Sequence, residues 1–261
     1  GDPGPDPVAY RWNSEVCRSL KAMKWITHPF IRPGTLESRA YQLSIAMRAL
    51  DGNTMVVLPT GLGKTAIALI IAASRLYNEK GKVLMLAPTK PLVEQHYRFF
   101  RTYLVVDGKE PACALFTGES PPDERKEAYS QASLIFATPQ VIKNDILSGA
   151  YTLADVPLLI VDECHRAVGN YAYVFIASVY RESSRSPLLL AMTASPGGQE
   201  VKVEEVCRNL GIEIVETRTE QDSDVAPYVH ERSIQVREVD LPSPLKSAVE
   251  DLNELLEMRI T

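Results

Sequence analysis

The sequence predicts an α/β protein built on a doubly wound, mostly parallel sheet with helices on both faces. Apolar, strand-like runs recur at 54–58, 83–87, 113–116, 133–137, 158–161 and 188–192. Helix-period segments at 66–77, 91–103, 122–131, 141–147 and 171–181 lie between them. The strand runs are continuously apolar rather than alternating, as expected when helices cover both faces of a sheet. Repeated βα units of this kind wind a parallel sheet.

Taken in order, the chain opens with "GDPGPDP", a stretch without a large apolar residue, and residues 1–12 read as a leader or an expression scar. A short helix is expected over 13–23. An extended stretch broken by Pro29 and Pro33 follows over 25–42. The alternating βα units then fill a single domain, with 13–240 as its expected limits. Beyond 240 the pattern changes. Ser243 suits a helix cap and Pro244 a first turn, and Leu245, Ala248, Val249, Leu252, Leu255, Leu256 and Ile260 form one apolar stripe. With no glycine stop, 241–261 reads as the start of a helical insert that continues in a longer parent.

Bulk composition narrows the functional class only a little. Hydrophobic residues make up 45% of the chain and the formal net charge is −5, which gives no sign of the broad basic footprint common in nucleic-acid binders. A site that grips a few phosphates through backbone amides leaves no such mark. No apolar run reaches the ~18 residues of a membrane span, so no membrane partner is expected. No secretory pattern is visible, and the expected setting is cytoplasmic, or nuclear in a eukaryote. Cys17, Cys113, Cys164 and Cys207 are scattered without metal-ligand spacing and read as reduced thiols.

The segment "VVLPTGLGKTAIALIIAASRL" places two glycines and a lysine where a strand gives way to a helix. Gly61 and Gly63 let the backbone curl close to an oxyanion, and the amides opening the helix point at it with the helix dipole behind them. Lys64 is positioned to reach the β- and γ-phosphates of ATP, and the Thr65 hydroxyl to ligate Mg²⁺. Leu58 stands where the strict phosphate-loop pattern has its first glycine. The alternative is an ordinary glycine-rich turn with a solvated first-turn lysine.

A second stretch, "VPLLIVDECHRAVGNYAYV", runs an apolar strand straight into Asp162, Glu163, Cys164 and His165. Carboxylates at the C-terminal edge of such a strand lie where doubly wound sheets bind ligands. Asp162 suits Mg²⁺, and Glu163 suits orienting and deprotonating an attacking water. Without the phosphate loop, the same acidic pair reads as a helix N-terminal charge cluster.

Together these segments resemble the first RecA-like P-loop domain of superfamily 2 helicases. "RAYQ" (Arg39 to Gln42) resembles the Q-motif, which implies that Gln42 reads the adenine edge with Arg39 beside it. "LPTGLGKT" resembles motif I, which implies nucleotide contacts from Leu58, Pro59, Thr60, Gly61, Leu62, Gly63, Lys64 and Thr65. "APTKPLVEQ" resembles motif Ia (Pro88, Thr89, Lys90), Thr117-Gly118 motif Ib, and "ATPQ" motif Ic (Thr138, Pro139, Gln140). In this family these loops contact nucleic-acid phosphates; read alone, two of them simply cap the helices that follow, and the two roles are compatible. "DECH" is motif II, which brings His165 into the catalytic set. "TAS", with Thr193 and Ser195, stands in the place of motif III and implies interdomain coupling.

Within the superfamily the wording is most similar to the branch containing archaeal Hef and the Fanconi anaemia complementation group M translocase. That resemblance implies ATP-driven remodelling of single-stranded, forked or branched DNA. It also implies a second RecA-like domain in the parent chain that supplies arginine fingers, so that this segment alone binds nucleotide and turns it over poorly. RNA-sensing and Dicer-type DECH-box helicases are the nearest alternative, with RNA as the less favoured partner. A nucleotide-binding module without hydrolysis is the alternative from another class.

Overall fold

The computed structural model describes residues 24–194 and 200–229. The main unit, which extends to Val225, holds a sheet of seven parallel strands in the order β3-β4-β2-β5-β6-β1-β7. In chain order its elements are α1 (Ala40–Leu50), β1 (Thr54–Val57), α2 (Lys64–Asn78), β2 (Val83–Leu86), α3 (Lys90–Tyr103), β3 (Cys113–Phe116), α4 (Pro122–Gln131) and β4 (Leu134–Ala137). They continue with α5 (Pro139–Leu147), β5 (Leu158–Val161), a 3₁₀ turn (Cys164–Arg166), α6 (Ala172–Ser183), β6 (Leu189–Thr193), α7 (Glu200–Leu210) and β7 (Ile214–Thr217). A separate unit starts at Ala226, and α8 (Ala226–Val229) is its described part.

The strands form because they are buried on both faces: every residue of β1, β2, β4, β5 and β6 is buried. Aliphatic runs of this kind satisfy the ladder and leave little polar side chain to solvate; the buried hydroxyls of Thr54 and Thr193 meet Gly52 O and His165 Nδ1. Helix α2 is hydrophobic nearly all round, with Ala66 through Ser74 buried without a break, which marks a helix enclosed by its neighbours. The register then does the positioning. Val57 pairs with both Thr193 and Thr217, Leu86 with both Val161 and Ala137, and Phe116 with Ala137. The seven strand ends therefore form two level groups, of four and three, offset by two residues where Val161 pairs with Ala191, and the loops that follow open along one edge.

In the main unit the sequence pattern misses three helices and strands. It places 25–42 in an extended stretch, whereas α1 begins at Ala40 and buries Tyr41, Gln42, Leu43, Ile45, Ala46 and Ala49. It also marks neither α7 nor β7. Strand β7 is an outer strand paired with β1, with Ile214 and Glu216 half-buried and Val215 and Thr217 exposed; a search for continuous apolar runs passes over such alternation. The expected domain limits at 12/13 and 240/241, the helix at 13–23 and the stripe at 243–261 lie outside the described residues. Among the described residues, no helix is long and apolar enough to cross a membrane.

The opposite, N-terminal edge of the sheet is closed by side chains that cap backbone carbonyls. Arg75 donates Nε to Pro157 O (3.0 Å) and Nη2 to Ser186 O (2.8 Å) and Oγ (2.9 Å). Lys82 Nζ reaches Ala132 O at 2.8 Å, and Ser184 Oγ reaches Val156 O at 2.7 Å. Asn53 accepts Leu189 N–H at Oδ1 (2.9 Å) and donates to Gly211 O (3.1 Å).

Candidate functional site

Strand β1 ends at Val57, and Leu58 still donates its N–H to Thr193 O (3.1 Å). The chain then turns through Pro59, Thr60, Gly61, Leu62 and Gly63 into α2. Both glycines have φ near +85°, in the left-handed region that favours glycine. Gly63 has a second reason for lacking a side chain, because a Cβ there would collide with the Gln42 amide. Helix α2 opens at Lys64 with Gly63 as N-cap and no side chain capping it. Its first-turn N–H groups therefore face outward without intrahelical partners, the arrangement that receives anions.

Helix α1 lies over this loop. Tyr41 Oη donates to Leu62 O (2.6 Å), and Gln42 Nε2 reaches the same carbonyl (3.2 Å). Gln42 Oε1 is buried with no hydrogen-bond partner, an acceptor aimed at a donor that the protein does not supply. Arg39, the N-cap of α1, pairs with Glu37 at 3.4 Å. Leu58 and Leu62 are buried, so their side chains face the core while their carbonyls serve the loop; Thr60 and Gly61 are exposed.

Lys64 extends back across the loop, with Nζ donating to Leu58 O at 2.8 Å. Partial burial lowers its pKa below the ordinary lysine value, and the carboxylates of Asp162 and Glu163 oppose that shift. Lys64 and Thr65 share a cleft of about 420 Å³ with Asp162, Glu163, Gly61, Gly63, Gln95 and His96.

The acidic pair follows β5 directly. Asp162 continues the ladder through its N–H to Leu86 O (2.9 Å) and accepts Tyr173 Oη at its own carbonyl (2.7 Å). Its Oδ1 accepts the Glu163 N–H (2.9 Å), and its Oδ2 lies 2.7 Å from His96 Nε2. Glu163 has φ 51° and ψ 46°, a left-handed conformation that costs a non-glycine residue about 1–3 kcal/mol. Its carbonyl accepts Arg166 N–H (3.1 Å), and its carboxylate stands 3.4 Å from His165 Nδ1. His165 Nδ1 also lies 3.0 Å from Thr193 Oγ1 at the end of β6. Cys164 is buried in the core, where desolvation pushes its thiol pKa up. Ser195 lies outside the described residues.

The candidate nucleic-acid loops line the same edge beyond β5, after β2, β3 and β4. Thr89 is the exposed N-cap of α3, Pro88 is half-buried, and Lys90 Nζ is paired with Glu119 Oε2 at 2.5 Å. Gly118 is exposed, whereas Thr117 is buried, with its hydroxyl accepting the Glu119 N–H (3.4 Å). Thr138 is the N-cap of α5, Pro139 is buried, and exposed Gln140 bonds Asn144 at 2.9 Å. Sequence reasoning missed the groups that hold these loops. Buried Arg125 grips Asp145 of α5 through Nε (2.8 Å) and Nη2 (2.5 Å) and donates Nη1 to Ser120 O. Tyr151 Oη adds a bond to Asp145 at 2.7 Å. The signal was slight: a single arginine beside three carboxylates in α4, of a kind that usually faces solvent.

The comparisons with known proteins meet this geometry. A family model described as DEAD/DEAH box helicase matches residues 39–203. A Methanocaldococcus jannaschii protein, provisionally named an ATP-dependent RNA helicase, is 45% identical over 236 residues, 90% of this chain and 30% of that protein. The Drosophila melanogaster DEAD-box ATP-dependent DNA helicase Fancm is 37% identical over 239 residues, 88% of this chain and 16% of that one. Among solved structures, the Pyrococcus furiosus Hef helicase domain matches with a TM-score of 0.73 at 50% identity, covering 76% of this chain and 42% of that chain. The chain thus spans less than a third of these two curated relatives.

Proposed function

Since the chain belongs to the DEAD/DEAH box helicase family, we propose that it is the ATP-binding half of a DNA helicase or translocase that remodels forked or branched DNA. The observation that carries this reading is the cleft in which Lys64, Thr65, Asp162 and Glu163 converge on the uncapped first turn of α2. ATP is the substrate that fits: the glycine turn and bare amides suit its phosphates, and the orphan acceptor Gln42 Oε1 suits the exocyclic amine of adenine.

A divalent cation fits as well, since Asp162 and Thr65 present hard oxygen ligands at the same cleft. When bound, Mg²⁺ neutralises phosphate charge. The protein's own residues do the rest. Lys64 pairs with the β/γ-phosphates in exchange for Leu58 O, and Glu163 takes the proton of the attacking water at its carboxylate. His165, between Glu163 and Thr193, ties motif II to the end of β6. Thr89, Lys90, Gly118, Thr138 and Gln140 hold the strand backbone. Arginines from a second RecA-like domain complete the charge stabilisation.

A second reading, an RNA helicase, is favoured by the name of the M. jannaschii relative. The deciding experiment measures ATP hydrolysis by a chain that also carries the second domain, with single-stranded DNA, forked DNA and RNA side by side. The proposal expects the greatest stimulation by forked DNA. Stimulation by RNA alone supports the second reading, and none by any strand leaves a binding module.

A further inference from the structure

His96 lies six residues into α3 and is 5% exposed. Its Nε2 stands 2.7 Å from Asp162 Oδ2, with both side chains less than a tenth exposed. A carboxylate accepts, so Nε2 is the donor. The other ring nitrogen, Nδ1, is buried without a partner. A histidine placed merely to fill the core would be an expensive choice here, since a leucine fills similar space and leaves no polar atom unsatisfied. What the imidazole adds is direction. Oδ1 is held by the Glu163 N–H and Oδ2 by His96, so the carboxylate is pinned at both oxygens and cannot turn.

We propose that His96 is a positioning residue for the divalent-cation site, acting through Asp162 alone. This inference rests on the reading of Asp162 as a cation ligand. It assigns His96 the outer-shell role that a hydrogen-bond donor plays behind a ligating carboxylate, orienting its lone pairs before the ion arrives. Loss of such a partner typically weakens metal affinity by about 10- to 100-fold. Nucleotide contacts that need no cation are untouched.

The test is a Mg²⁺ titration of binding of a fluorescent ADP analogue to the chain, with wild type, His96→Leu, His96→Asn and His96→Gln. Glutamine can place an amide N–H where Nε2 stands; asparagine carries the same amide on a side chain one methylene shorter, too short to reach. Expected is an apparent Mg²⁺ affinity about tenfold weaker in His96→Leu and His96→Asn. His96→Gln should return to near wild type, and Mg²⁺-free nucleotide binding should be equal in all four. If His96→Leu fails to fold, the asparagine–glutamine pair carries the comparison. A wild type whose nucleotide binding ignores Mg²⁺ overturns the reading of Asp162 and the inference with it. A Mg²⁺-dependent wild type matched by the leucine and asparagine variants, or a glutamine variant as impaired as they are, overturns the inference alone.

Discussion

The two edges of the sheet carry clefts of nearly equal size, about 420 Å³ at the strand C-termini and about 440 Å³ at the N-termini. The second is lined by Asn78, Glu79, Lys80, Asp155, Arg185 and Ser186 and has plenty of charge. Several of its polar side chains are held by neighbours behind the cleft: Asn78 donates to Ser74 O at 2.8 Å, Arg75 stands 3.6 Å from Glu79, and Ser186 is held by Arg75. At the other edge Gln42 Oε1 and His96 Nδ1 lack partners, a desolvated lysine rests on a carbonyl, and Glu163 holds a left-handed backbone. Volume and charge do not separate a site from a seam. Unmet hydrogen-bonding capacity does.

The sharpest way to test that contrast is to change chemistry at the strained edge without touching the fold. Glu163→Gln keeps the shape but cannot take the water's proton, so hydrolysis in a chain with both domains should fall about 10²- to 10⁴-fold. Nucleotide affinity and unfolding midpoint should hold. Hydrolysis near the wild-type rate would remove Glu163 from the role of base.

The next effect belongs away from that edge. His28 accepts the Phe30 N–H at Nδ1 (3.0 Å) and packs edge-on against Tyr77 near the end of α2. Burial lowers its pKa to about 4 from 6.5. The fold therefore binds fewer protons here than the unfolded chain between those values, so this stability is fully present above pH 6.5 and is lost as pH falls towards 4. Its size is about 3 kcal/mol. Denaturant titrations of wild type and His28→Asn at pH 7, 5.5 and 4.5 should converge as pH falls. Parallel curves would show that His28 is not responsible.

Lys64→Met tests whether a site residue serves binding rather than stability. Removal of the phosphate-facing charge should weaken ATP binding by about 1.5–3 kcal/mol, roughly ten- to a hundredfold. The ligand-free unfolding midpoint should move little, because relief of a desolvated charge opposes the loss of the bond to Leu58 O. Calorimetry and a thermal melt together check both halves; unchanged ATP affinity would sink the phosphate-loop assignment.

The smallest effect concerns Lys90, already paired with Glu119 in the free protein. Glu119→Gln should free that charge for a phosphate. In a salt titration of single-stranded DNA binding, the slope should steepen by about 0.7, with a gain in affinity of less than tenfold. An unchanged slope would mean that the pair does not compete with DNA.

The sequence made the sheet legible because its strands are buried on both faces, and aliphatic runs such as Leu158–Val161 admit no other ready reading. Strand β7 escaped for the opposite reason, since half its side chains face solvent. The phosphate loop and the acidic pair were legible because glycines at 61 and 63 and carboxylates just past a strand have few other uses together. His96 and Arg125 were not, because one histidine in a helix and one arginine among acids look like ordinary side chains until the fold sets His96 against Asp162, 66 residues on, and Arg125 against Asp145. Local pattern reports backbone demands; pairing over long separations is visible only in three dimensions.

Helix α3 is a rod with fixtures along its length. Thr89 and Lys90 sit at its tip, His96 touches Asp162, Tyr97 and Phe100 pack on Phe136 of β4, and Arg32 Nε meets Thr102 O at 3.1 Å near its foot. A helix resists stretching, so a displacement at the tip carries towards His96, and about 1 Å of it along the 2.7 Å hydrogen bond would break that bond. Six residues of stiff backbone separate the surface that would feel a strand from the carboxylate that would hold the ion.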